Sequence, residues 1–95
     1  MDLEELRNSI RECDREIISL IERRQKISQS IAEVKNKLGL EILDEVQRRK
    51  VIDHAASLAE EYSIDKNAII NIFTLLIRMS EDVQKIGRGG ESEKK

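Results

Sequence analysis

From Leu3 onward, apolar residues recur in alternating steps of three and four: Leu3, Leu6, Ile10, Cys13, Ile17 and Leu20, then Ile27, Ile31, Val34 and Leu38. A repeat averaging about 3.5 residues keeps every member on one stripe of an α-helix, so the segment reads as one helix carrying a coiled-coil seam. Gly39 supplies a left-handed stop after Leu38, and Lys35 and Lys37 place cations in the last turn, where they complement the helix dipole. A helix over about residues 3 to 38 is roughly 54 Å long at about 1.5 Å per residue, far longer than a compact domain of this size needs. Such a rod must pack along its length against something else. A chain of 95 residues also buries only a modest fraction of its surface by itself, so a homodimer is expected.

The seam has one exception. Arg24 occupies the position between Leu20 and Ile27 that the pattern assigns to a hydrophobe. A charge held on an apolar stripe needs an opposite charge or a dense set of hydrogen bonds, so Arg24 points to an anion. Lys35 follows eleven residues later, three helical turns on, and therefore faces the same side. Read without further support, a snorkelling Arg24 stem and a solvated Lys35 explain the pair as well as a shared pocket does.

The rest of the chain is also helical in character. Proline is absent, glycine is limited to four residues and aromatics to 2%, while 38% of residues are charged, a mixture that suits helices and starves strands. Asp44 is the expected N-cap of a second helix with Val51, Ile52, Ala55, Leu58, Ala59 and Tyr62 on its apolar side, ending near Tyr62. Ser63-Ile64-Asp65 opens a third, whose Ile69, Ile70, Ile72, Phe73, Leu75, Leu76, Ile77, Met79 and Val83 are apolar around much of the circumference and predict the most buried helix. Gly87 is the expected end of that helix. The expectation is thus an all-α chain of three helices, a helical domain over 1–86 and a disordered polar tail over 87–95.

A formal net charge of −2, with no basic run interleaved with aromatics, argues against nucleic acid as a partner. The single cysteine excludes an internal disulfide and offers no metal-ligand spacing, so no metal is expected and the cytoplasm is the expected compartment. No apolar run approaches a membrane span, no targeting segment appears, and no motif calls for a cofactor.

Conventional catalytic groups are scarce. His54 stands beside Asp53 without a second histidine and reads as a surface residue, and Cys13 lies on the seam and reads as a small core hydrophobe. Ser80 and Gln84 are one turn apart and present a hydroxyl and an amide on one face of the third helix, a placement that ordinary surface polars also produce.

In ordered combination these residues resemble the all-helical chorismate mutase family. The resemblance covers about residues 3 to 86 and rests on Leu6-Arg7, Arg24 and Lys35 on the first helix, Asp44 opening the second, and Ser80-x-x-x-Gln84 on the third, with Asp14, Asp65 and Phe73 also of the usual type. It implies an intertwined homodimer and the pericyclic rearrangement of chorismate to prephenate in aromatic amino-acid biosynthesis. No proton need be transferred in that reaction, which suits a chain without an evident base. Position by position, it implies that Arg7 and Arg24 grip the substrate carboxylates, that Lys35 and Gln84 donate to the ether oxygen, that Ser80 assists a carboxylate, and that Asp44 lies beside the ring hydroxyl.

The chain departs from the family at one place. Where Asp-x-x-Arg-Glu is usual, it reads Asp44-Glu45-Val46-Gln47-Arg48, so the glutamate that accepts the ring hydroxyl is replaced by Arg48. Glu45 or main-chain groups near Asp44 are the alternative acceptors, and Arg48→Glu is expected to improve kcat/KM by restoring the family's acceptor type. The rival readings are an isochorismate pyruvate-lyase, which shares the carboxylate grip, and a non-enzymatic coiled-coil adaptor in which Arg24 specifies pairing.

Overall fold

The structure, a computed structural model, describes residues 1–93, and their side chains as far as residue 87. It consists of α1 (Leu3–Leu38), α2 (Glu45–Glu61) and α3 (Lys66–Glu93), with no strand among the described residues. Each start has a local cause. Asp2 and Glu5 form a capping box on α1, Asp44 accepts the Gln47 amide at 3.1 Å, and Asp65 accepts the amides of Asn67 and Ala68 at 2.9 and 3.2 Å. Gly39 ends α1 in the left-handed conformation with φ 71°, which lets the Leu40 amide return to the Lys35 carbonyl at 2.8 Å. Ser63 takes φ 56° after α2 and similarly directs the Ile64 amide onto the Ala59 carbonyl.

One expected boundary moves. The backbone of α3 passes through Gly87 to Glu93, because Gly87 does not adopt the left-handed conformation that would stop it. Of the expected tail, residues 94–95 lie outside the described residues.

α3 is the central element: it packs against α1 on one side and α2 on the other, while α1 and α2 do not meet. The longest dimension, 54 Å, is that of α1 itself. Close approach of the helices depends on small residues, with Ala55 and Ala59 buried on α2 and Ser28 and Ala32 buried on α1. Ile42 and Ile77 complete the buried apolar set.

The face of α1 that meets α3 is not the seam. Ser28 and Ala32 turn inward, whereas Leu3, Ile10, Leu20, Ile27 and Leu38 are each more than half exposed. The N-terminal half of α1 carries no buried residue at all. Nor is α3 buried all round: Ile72, Leu75, Met79 and Ile86 stay exposed within the single chain. Two neighbours can cover two stripes of a helix, and the third apolar stripe remains open.

Candidate active site

Because α1 and α2 diverge on either side of α3, a cavity of about 320 Å³ opens between the three helices. Arg24, Ser28 and Lys35 enter it from α1, Asp44 from the α1–α2 connection, Arg48 from α2, and Ser80, Glu81 and Gln84 from α3. Apolar walls come from Ile27, Ile31, Ile42, Val51 and Ile77. An apolar cleft with a few converging polar groups is the form of a small-molecule site, and the volume suits a compact organic anion.

Arg24 is held from three directions. Its Nη1 donates to Ser80 Oγ at 3.0 Å and to the Leu76 carbonyl at 3.4 Å, and its guanidinium carbon lies 5.8 Å from the centre of the Phe73 ring. Ser28 Oγ also donates to Ser80 Oγ, at 2.8 Å. Ser80 thus accepts twice, which leaves its own proton for a bound group. Lys35 Nζ donates to the Ile42 carbonyl at 2.8 Å, a contact made possible because the Gly39 turn brings the connection back over the end of α1.

No carboxylate pairs with Arg24 or Lys35 among the described residues. Two cations therefore face one cavity without an ion-pair partner, an arrangement open to an anion. Gln84 adds a neutral group. It is buried, its Oε1 has no hydrogen-bond partner, and its amide is free to turn toward a ligand without breaking an existing bond.

Arg48 differs in kind, because its charge is already answered. Its Nη2 and Nε reach Glu81 Oε2 at 2.7 and 3.3 Å, and its Nη1 reaches Glu45 Oε2 at 3.3 Å. The hydrogen bond and charge of Glu81, followed by the charge of Glu45, hold the Arg48 guanidinium pKa above its usual value. Glu45 is largely exposed and does not line the cavity, so Glu81 is the acid beside Arg48 that faces inward.

Of the residues singled out from sequence, Arg24, Lys35, Asp44, Arg48, Ser80 and Gln84 all border this cavity. Arg7 does not. It lies near the start of α1, exposed, with Glu4 3.9 Å away. Ser28, Glu81 and Ile42 were missed. Ser28 had a legible signal, since it follows Arg24 by one turn, and so had Glu81, which shares a face with Ile77, Ser80 and Gln84. The Ile42 carbonyl had none, because a main-chain acceptor is defined only by the path of the turn.

The fold and site define an all-helical protein that presents two cations without ion-pair partners, a hydroxyl and a buried amide to one cavity, with neither His54 nor Cys13 in it. Comparison with known proteins makes this class specific. The chorismate mutase type II family model matches residues 6–85. A chorismate mutase of Methanocaldococcus jannaschii is 36% identical over 83 residues, covering 87% of this chain and 84% of that protein. A bifunctional chorismate mutase/prephenate dehydratase of Buchnera aphidicola is 30% identical over 84 residues, covering 88% of this chain but 22% of the relative. The chain belongs to the chorismate mutase type II family, and with it to the isomerases. No described helix is long and apolar enough to cross a membrane.

Proposed function

We propose that the protein rearranges chorismate to prephenate at the cavity between its three helices, in a homodimer whose two sites each draw on both chains. The observation that carries this reading is the uncompensated pair Arg24 and Lys35 facing one cavity with the unengaged amide of Gln84. Chorismate is a dianion with an ether bond that breaks as a carbon–carbon bond forms. Its rearrangement needs the two carboxylates fixed, the enolpyruvyl arm held over the ring, and negative charge on the ether oxygen stabilised.

The residues divide accordingly. Arg24 grips one carboxylate through its planar fork, with the Ser80 proton in support. Lys35 and Gln84 donate to the ether oxygen, where charge develops in the transition state. Asp44 stands by the ring. None of these steps moves a proton to or from the protein, so no general base is required.

The dimer supplies what the single chain lacks. The exposed seam of α1 is an apolar strip running the length of the molecule, and burying each half-exposed Leu or Ile contributes on the order of 1 kcal/mol. A second copy lying along α1 brings an Arg7 toward the cavity as the second carboxylate clamp. Cytoplasmic action is part of the same proposal, resting on the single cysteine and checked by cell fractionation.

The direct test is incubation of purified protein with chorismate, following substrate loss and identifying prephenate as product. Isochorismate run in parallel distinguishes pyruvate-lyase activity. Inertness toward both substrates, together with failure to bind any dicarboxylate, removes the proposal and favours an adaptor role.

A further inference from the structure

The Arg48–Glu81 pair joins α2 to α3 across the wall of the cavity, and both residues line it. The geometry of the pair is one-sided. Both Arg48 contacts with Glu81 fall on Oε2, and Oε1 makes no hydrogen bond among the described residues. The Glu81 side chain is 15% exposed, against 39% for Arg48, so the acid is the more enclosed partner. A cavity-lining carboxylate fixed by an arginine through one oxygen keeps the other oxygen as an acceptor for a donor.

The cavity's other polar side chains show which ligand group that donor is. Arg24, Lys35, Ser80 and Gln84 can all donate, and they suit carboxylates and an ether oxygen. A ligand hydroxyl needs the opposite, an acceptor, and leaving it unpaired on binding incurs its desolvation cost. The cavity contains two carboxylates, Asp44 and Glu81. Asp44 keeps Oδ2 but is tied through Oδ1 to the Gln47 amide as the cap of α2, whereas Glu81 is held only by a side chain. Glu81 is the carboxylate with no backbone duty.

We propose that Glu81 accepts the ring hydroxyl of the substrate through Oε1, with Arg48 as the positioning residue that orients the carboxylate. This deepens the reading of the site as a chorismate mutase and rests on it. The pair also sets the direction of binding. Substrate carboxylates are repelled by Glu81 and drawn to Arg24 and Lys35, while the hydroxyl is drawn to the α2–α3 wall, so the ring enters one way round. Arg48, which takes the place of a family glutamate, does not remove the acceptor. It holds one supplied from the neighbouring helix.

The test compares chorismate with its analogue lacking the ring hydroxyl, the latter measured as a competitive inhibitor, on the full chain. Glu81→Leu is expected to lower kcat/KM for chorismate at least about tenfold, the effect of losing a hydrogen bond to a charged group. Its inhibition constant for the hydroxyl-free analogue is expected to stay within about twofold of wild type. The paired variant Arg48→Met/Glu81→Leu strands no charge and guards against misfolding of the single variant. It is expected to show the same selective loss. Equal losses on both compounds, or recovery of chorismate turnover in the paired variant, overturn the assignment and leave Arg48–Glu81 as a strut between helices. Absence of turnover in the wild type instead removes the underlying function, so the two failures are told apart.

Discussion

Arg24 and Ser80 lie 3.0 Å apart across the α1–α3 contact, and Ser28 reaches the same Ser80 hydroxyl at 2.8 Å. The three side chains form a small polar junction at the one place where the apolar seam of α1 is interrupted. Ser80 holds the guanidinium that the proposed site uses to grip a carboxylate. Ser80→Ala is expected to lower kcat/KM by about threefold to tenfold, the effect of one neutral hydrogen bond. Arg24→Lys keeps the charge but loses the fork and its stacking over Phe73, and is expected to lower kcat/KM by well over tenfold. Steady-state kinetics on the two variants checks the order of these losses.

Lys35 and Gln84 are assigned to the ether oxygen, and their removal is expected to act on kcat more than on KM. Loss of one preorganised donor reduces turnover by about 10²- to 10³-fold, so Lys35→Ala and Gln84→Ala are each expected to fall in that range. His54→Gln and Cys13→Ala are expected to retain nearly full activity, since neither residue reaches the cavity. Wild-type turnover in Lys35→Ala refutes the assignment of the donor.

Arg48→Glu places a third carboxylate beside Glu45 and Glu81, where the structure has a cation bound to both. The sequence comparison alone favours a gain from restoring glutamate here, and the geometry reverses that expectation. The single variant is expected to lose activity, and Arg48→Glu/Glu81→Arg to recover part of it, because opposite charges again face each other across α2 and α3. A gain in the single variant shows that the bridge contributes nothing to the site.

What could be read in advance follows from which interactions are local. The three helices, the Asp44 cap and the Gly39 stop depend on residues within a turn of one another, and periodicity reveals them. Arg24 was conspicuous because it broke a pattern. The Arg48–Glu81 contact was not, since 33 residues separate its members and no local pattern pairs them. Similarly, the seam suggested which stripe of α1 is apolar, yet the stripe used within the chain is the small-residue one at Ser28 and Ala32. Hydrophobicity marks what must be buried but does not say against which partner.

Ala55 and Ala59 are 1% and 2% exposed on α2, where they let the helix lie close against α3. Ala59→Leu is expected to cost about 1–3 kcal/mol by overpacking that contact. Urea unfolding is expected to show a lower midpoint with an unchanged slope. Because α2 and α3 form one wall of the cavity, the same variant is expected to raise KM. Unchanged stability in Ala59→Leu contradicts the close packing of α2 on α3.

The shared-site arrangement is tested by distance. Seventeen residues separate Arg7 from Arg24 on α1, roughly 25 Å of rise at about 1.5 Å per residue, so both cannot reach one small molecule from the same chain. If Arg7 enters the cavity of a second copy, then Arg7→Ala and Arg24→Ala homodimers are each expected to be nearly inactive, every site lacking one carboxylate clamp. Co-refolding the two variants in equal amounts makes about half of the dimers mixed when chains pair at random, and each mixed dimer holds one intact site and one doubly damaged site. Activity is therefore expected to return to about one quarter of wild type. A chain carrying both substitutions, mixed with either single variant, can form no intact site and is expected to stay inactive. Sedimentation equilibrium on the same samples establishes that dimers are present. Mixed dimers that show no recovery, or a protein that sediments as a folded monomer at micromolar concentration, rule out the intertwined arrangement, because only a neighbouring chain can carry Arg7 across the distance that α1 imposes.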